Sequence, residues 1–332
     1  VTTVDVPLVE PGRAAADSGA PRAAPGVGRL RRDAARPGRW APYLFLAPYL
    51  ALFGLFVVVP IVLGVWLSLH DWDPFLPTKP WVGLDNYADL FRSGSPIRGN
   101  FWRAVRATAL FTALSVPVLV TLPLLIALAL NQRFPGRSFF RAIFFAPYVL
   151  GVAVVALMWR LLLDPQIGVV NHLLGKVGLP SDTGWTTAVP WVWVSLVGMT
   201  VWWTLGYNAV IYLAGLQNIH HELYDAARID GASRWQQFRH VTVPGLRPVF
   251  VFIVTMTVLG SANMFGQAYL VTGGGPGSET RTTIMYIAEE GFRNFRLGTA
   301  AAMSYVQAFL LALVNLGMFL LFFGRRSDEE IP

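Results

Sequence analysis

A chain of 332 residues that is 54% apolar and only 14% charged, with a mean hydropathy of +0.50, lacks the polar surface needed to enclose a soluble globule of this size. This excludes a water-soluble enzyme and predicts an all-α integral membrane protein. The formal charge of +7 does not imply nucleic acid, because the excess lies in an arginine-rich leading stretch and short segments between apolar runs, which anionic lipid headgroups balance. The absence of cysteine removes disulfides, thiolate nucleophiles and Cys-ligated metals, and the histidines at 70, 172, 220, 221 and 240 lack the spacing of a metal site.

Residues 1–39 are rich in Ala, Gly, Pro and Arg and poor in large apolar side chains, which predicts a disordered basic tail. The apolar run that follows is about 27 residues, beyond the roughly 7 to 15 of a signal-peptide core, and reads as a first span. Windows free of Asp, Glu, Lys and Arg predict six transmembrane helices, near 43–69, 107–130, 142–159, 189–213, 249–270 and 297–323. They make one six-helix domain over 40–324, followed by a short tail at 325–332. Pro48 and Pro60 are expected to kink the first span. With both termini in the cytoplasm, sixteen of the 26 Lys and Arg fall on the inner side, which sets the orientation in a cell membrane.

On the outer side, the segments 71–77 and 81–91 mix prolines, aromatics and acids suited to the interfacial zone. The glycine-rich 272–278 reads as a flexible turn, since no strand precedes it and no Lys-Ser or Lys-Thr follows. No Walker A pattern occurs in the chain, so ATP and magnesium, where used, belong to another polypeptide; no cofactor is expected here.

The most informative segment is the charged island between the fourth and fifth spans, a loop over 216–247. Leu223, Ala226, Ala227 and Asp230 recur at helical spacing and give a small, mostly apolar face. Gly231 permits a turn, Ser233 is placed to cap a second short helix from Arg234 to about His240, and Pro244 is expected to end the unit. Physical pattern alone leaves two readings open: a knob that fits a partner's groove, or an amphipathic hairpin lying on lipid in a polytopic membrane scaffold.

Asp225-Ala-Ala, three residues, Gly231, nine residues and Val241-Thr-Val-Pro244 resemble the EAA signature of permease subunits in binding-protein-dependent ABC importers. Val82-Gly-Leu-Asp-Asn-Tyr87, Phe140-Arg-Ala-Ile-Phe-Phe-Ala-Pro147, Leu270-Val-Thr-Gly-Gly-Gly-Pro276 and Gly298-Thr-Ala-Ala-Ala-Met-Ser304 are similar to the maltose or multiple-sugar branch. The resemblance covers about residues 41 to 324. It implies that the island is a coupling helix docking on a cytoplasmic ATPase dimer, with Glu222, Asp225, Ala226, Ala227, Asp230, Gly231 and Pro244 at or beside the contact. Asp225 stands where the family usually carries the longer glutamate. The other implied partners are a second permease subunit and an extracytoplasmic solute-binding protein.

Polar groups at membrane depth face a cavity or glue helices together. On this basis Gly260, Asn263 and Gln267 are expected to share a face of the fifth span, with Ser304, Gln307 and Asn315 as the polar set of the sixth. Trp202, Trp203, Asn208 and Tyr212 of the fourth add rings able to stack on a sugar. Membrane-embedded carboxylates and lysines are missing from the spans, which argues against a proton-coupled transporter, and no nucleophile or acid-base pair suggests a membrane enzyme. The expectation is a permease half-pore importing a carbohydrate, with glycerol-phosphate or polyol uptake as the alternative; the uncharged spans favour a neutral solute.

Overall fold

Prolines punctuate the apolar helices, and the architecture shows how each freed carbonyl is handled. The computed structural model describes residues 41–132 and 134–323; the expected tails at 1–39 and 325–332 lie outside the described residues. The chain divides into two units, meeting at Val58 and Val59. In the first, α1 (Ala41–Phe53) contains Pro48 and runs into a π-helical turn at Gly54–Val58.

The second unit opens with α2 (Val59–Ser68), which carries Pro60 in its first turn. A proline leaves the carbonyl four residues back without its donor, and a π turn is a common local adjustment. Next come α3 (Asp85–Asp89), α4 (Pro96–Asn131), α5 (Arg137–Val149), α6 (Val152–Leu162), α7 (Val169–Lys176) and α8 (Trp191–Gln217). Then α9 (His221–Ile229) and α10 (Arg234–Gln237) lead through a π stretch, Phe238–Thr242, into α11 (Val243–Ala262). A further π turn at Ala268–Thr272, α12 (Thr283–Ala288), a last π turn at Glu289–Arg293 and α13 (Leu297–Phe323) complete it.

Five described helical runs are long and apolar enough to cross a membrane, and a sixth exists only as the pair α5 and α6, bent by 97°. The expected straight span at 142–159 is therefore corrected. Pro147 and Gly151 flank the bend, and Gly206 of α8 lets the α5 backbone lie against it: an added Cβ there would run into the Phe144 carbonyl. The second span also proves longer than its apolar window, α4 starting at Pro96 and carrying Arg98, Arg103 and Arg106 on its first turns. Pro96 occupies N1, where its missing N–H costs nothing.

The core forms where α4, α8 and α11 pack together. Phe111, Leu196, Met199 and Ala268 centre one buried cluster, and Tyr212, Ile253 and Ala127 another. Pro123 of α4 leaves the Leu119 carbonyl without a helical donor, and Asn208 of α8 supplies one at 3.0 Å.

Between spans, Asn86 Nδ2 donates to the Ser68 and His70 carbonyls, both at 2.9 Å, and its Oδ1 accepts from Thr299, so α2 and α13 are tied through one amide. The glycine-rich turn is not loose, since Thr280 Oγ1 donates to Gly275 O at 2.7 Å and meets Thr272 Oγ1 at 2.7 Å. In α12, burial first and Glu290 second push the Tyr286 phenol up to about 12.

Candidate functional site

The island folds as a helix, a tight turn and a capped second helix. Glu222 sits in the first turn of α9 and Arg228 in the last, both favourable against the helix dipole. Gly231 adopts φ 75°, its N–H donates to Arg228 O at 3.1 Å and that of Ala232 to Ala227 O at 2.8 Å, the paired bonds of a Schellman end. Ser233 then caps α10 as foreseen: Gln236 N donates to Ser233 Oγ at 3.4 Å, and Ser233 N to Gln236 Oε1 at 2.7 Å.

Pro244 does not stop the unit. Helical structure runs from Arg234 through Ala262, because the π stretch Phe238–Thr242 places the missing donor of Pro244 in a widened turn, while Pro248 is carried within α11. The second half of the island, from Arg234 onward, is therefore continuous with the fifth span. Tyr224 Oη and Thr242 Oγ1, 2.9 Å apart, fasten α9 to that rod. Outward, Leu223, Ile229 and Trp235 are exposed apolar side chains on one small structure, beside Glu222, Ala226 and Asp230; Ala227 is half-buried. Asp225 is held by Arg228 at 2.8 Å, an exposed pair of small energetic worth.

At membrane depth the polar groups divide between two clefts. The first, about 300 Å³, is lined by Thr200, Trp203, Thr204, Tyr207 and Asn208 of α8, Tyr148 of α5, Thr257, Gly260 and Ser261 of α11, and Gln267. Tyr148 and Tyr207 stack with centroids 4.7 Å apart and planes 19° from parallel. Trp203 Nε1 donates to Leu150 O at 3.0 Å, holding the end of α5 where its last carbonyls lack helical donors. The second cleft, about 490 Å³, gathers Asn263, Ser304, Gln307 and Asn315. Gln307 Nε2 donates to Ala262 O at 3.3 Å, while Gln307 Oε1 and Asn315 Oδ1 are buried and unbonded among the described residues.

This arrangement corrects the expected shared face and sorts the residues expected on the substrate path into different settings. Gly260, Asn263 and Gln267 do not share a helix face, because α11 ends at Ala262 and Asn263 terminates it; Gln267 lies in the first cleft and Asn263 in the second. Tyr212 is fully buried in the core, and Trp202 packs 6.1 Å from Trp159; neither lines either cleft. Tyr207, Thr200, Thr204 and Tyr148 line the first cleft and are not among the residues expected from the sequence. Three of them were within reach, since Thr200, Trp203, Thr204 and Tyr207 follow i, i+3, i+4 and i+7 on α8. Tyr148 arrives only through the bend, which no spacing announces.

Residues 97–326 match the family described as binding-protein-dependent transport system inner membrane component. The chain belongs to that family. The probable ABC transporter permease YurN of Bacillus subtilis is 35% identical over 292 residues, covering 87% of this chain and 97% of that protein. The trehalose/maltose transport system permease MalF of Thermococcus litoralis is 33% identical over 272 residues, 82% and 89% of the two chains. Among solved structures, a bacterial ABC transporter involved in import of the acidic polysaccharide alginate shares the fold with a TM-score of 0.72 and 25% identity, covering 87% of this chain and 96% of that one. The chain is thus an ABC importer permease with multiple membrane-crossing helices, and the EAA-like island occupies the expected place between its fourth and fifth spans.

Proposed function

We propose that this permease imports a neutral carbohydrate, and that the cleft between α5, α8 and α11 is where the solute is held. The observation that carries this reading is the α8 face Thr200, Trp203, Thr204, Tyr207 joined by Tyr148: stacked rings beside hydroxyls and amides suit a pyranose, which is apolar on its faces and hydrogen-bonding at its rim. Relatives named for trehalose/maltose and for alginate support the class. Among the described residues no Lys or Arg lines the cleft, which disfavours glycerol-phosphate and an acidic sugar alike.

The chain is then one half of a pore formed with a second permease, fed by an extracytoplasmic binding protein, with both termini and α9 in the cytoplasm. ATP and magnesium are bound by a separate ATPase dimer that α9 contacts through Glu222, Asp225, Ala226 and the exposed Leu223 and Ile229. Because Arg234–Ala262 is one helical rod, movement of α9 is passed to Thr257, Gly260 and Ser261 on the cleft wall. The alternative of a lipid-surface hairpin has less support, since acidic Glu222, Asp225 and Asp230 occupy the exposed face. Uptake of labelled disaccharide into vesicles holding the complete complex tests this. Tyr207→Leu is expected to raise the half-saturating solute concentration at least tenfold while solute-independent ATPase persists; unchanged saturation returns the cleft to a packing role.

A further inference from the structure

A third cleft, about 690 Å³, lies beneath α9 on the side away from its exposed apolar face. Helical spacing accounts for it: His221, Tyr224 and Arg228, at i, i+3 and i+7, turn one face of α9 toward the cleft, while Glu222 and Ile229 are exposed away from it and Asp225 stands at its edge, paired with Arg228. Arg137 joins from the start of α5 and Arg234 from α10, with Gln132, Gln217 and Gln237 adding amides over a floor of Leu128, Leu216 and Ile219. Among the described residues, three guanidiniums and no carboxylate line this space. Arg228 is matched by Asp225 at 2.8 Å, whereas Arg137 and Arg234 have no ion-pair partner among the described residues. Arginines converging on an apolar-floored hollow at the membrane boundary, with charge left uncompensated, fit one ligand chemistry well. The planar fork of each matches the oxygens of a phosphate group.

We propose that this cleft is an anion site that takes a phosphate group. The group can come from an anionic lipid headgroup at the membrane face or from a soluble phosphorylated solute; both offer the same oxygens to the same arginines. A ligand seated there lies between α9 and the ends of α4 and α8, beside the Tyr224 to Thr242 contact, so occupancy sets how freely α9 moves. That consequence rests on the coupling role proposed for α9, whereas binding itself does not.

The test uses the complete membrane complex, without nucleotide, in nanodiscs of phosphatidylcholine alone or with phosphatidylglycerol. Binding of inorganic phosphate is followed by calorimetry against chloride at matched ionic strength, and retained phosphatidylglycerol by native mass spectrometry. Since an ATPase also binds phosphate, the quantity that counts is the part lost in Arg137→Gln/Arg234→Gln, expected to be at least a tenfold weakening. Arg137→Lys/Arg234→Lys keeps the charge without the fork, guards against a folding defect, and should weaken binding by less. Arg239→Gln, an exposed arginine of the same loop outside the cleft, should change nothing. Loss confined to the phosphate arm assigns a soluble ligand, and loss confined to the lipid arm assigns a headgroup. Binding in both arms unaffected by the Gln pair, or reduced equally by Arg239→Gln, overturns the proposal. Neither readout involves transport, so failure of the coupling role would leave this result unchanged.

Discussion

At Gly231 the backbone, not the space around it, decides what is tolerated. No atom lies within 4 Å of where a Cβ would stand, but φ is 75°, a region costing an L-residue roughly 1–2 kcal/mol and a β-branched one more. Gly231→Val is therefore expected to insert and assemble yet uncouple ATP hydrolysis from uptake, whereas Gly231→Asn, which tolerates this conformation, keeps both. Binding-protein-stimulated ATPase and uptake measured in the same vesicles decide it; equal coupling in the two variants would remove the turn from the mechanism. Trp203 offers a second residue-scale case. Its indole N–H donates to Leu150 O and so positions Tyr148 against Tyr207. Trp203→Phe keeps the ring and loses about 1 kcal/mol of hydrogen bonding, which should weaken solute affinity about fivefold and leave maximal uptake intact. A loss of maximal uptake with unchanged affinity would instead mark a general folding role. Gln267 and Asn263, which spacing had joined, should now separate: Gln267→Leu weakens uptake and Asn263→Leu does not.

At the scale of elements, what was legible followed from continuity. Helices α8 and α13 are single apolar runs and α4 contains one, and for such runs length and absence of charge suffice. The cap at Ser233 was legible too, because its Gln236 partner lies three residues away and the interaction is local. The α5 and α6 bend was not. Its window is as apolar as the others, and the 97° turn depends on a close approach to Gly206, some sixty residues distant in sequence. Pro244 misled for a related reason: a proline stops an isolated helix, but a preceding π turn carries this one through. The bend makes its own prediction. Gly206→Leu must displace the Phe144 carbonyl and should cost about 3 kcal/mol or more, while Gly99→Leu in α4, with open space around it, should cost little. Thermal unfolding midpoints in detergent compare the two; equal losses would mean that α5 is not seated on Gly206.

At the scale of the whole molecule, composition alone gave the class, since no arrangement of a chain this apolar keeps its surface wet. What composition could not convey is that the polar groups gather into separate clefts, and one of these bears on assembly. Gln307 Oε1 and Asn315 Oδ1 are buried at membrane depth without a bond among the described residues, in a cleft with Ser304 and Asn263 on its wall. An unsatisfied amide in hydrocarbon costs on the order of 1 kcal/mol or more, and interhelical amide bonds recover about that amount each. A second permease packing along α13 would recover both if the amides turn outward to meet its donors. The chain produced without that partner is accordingly expected to be unstable and inactive, and the co-purified pair stable. Gln307→Leu/Asn315→Leu should narrow the difference by making the lone chain more robust and the pair less so. Size-exclusion profiles and unfolding midpoints for the chain with and without its partner read this directly. A monodisperse, transport-competent lone chain, or a double variant that weakens both preparations equally, would show that these amides serve packing within one subunit.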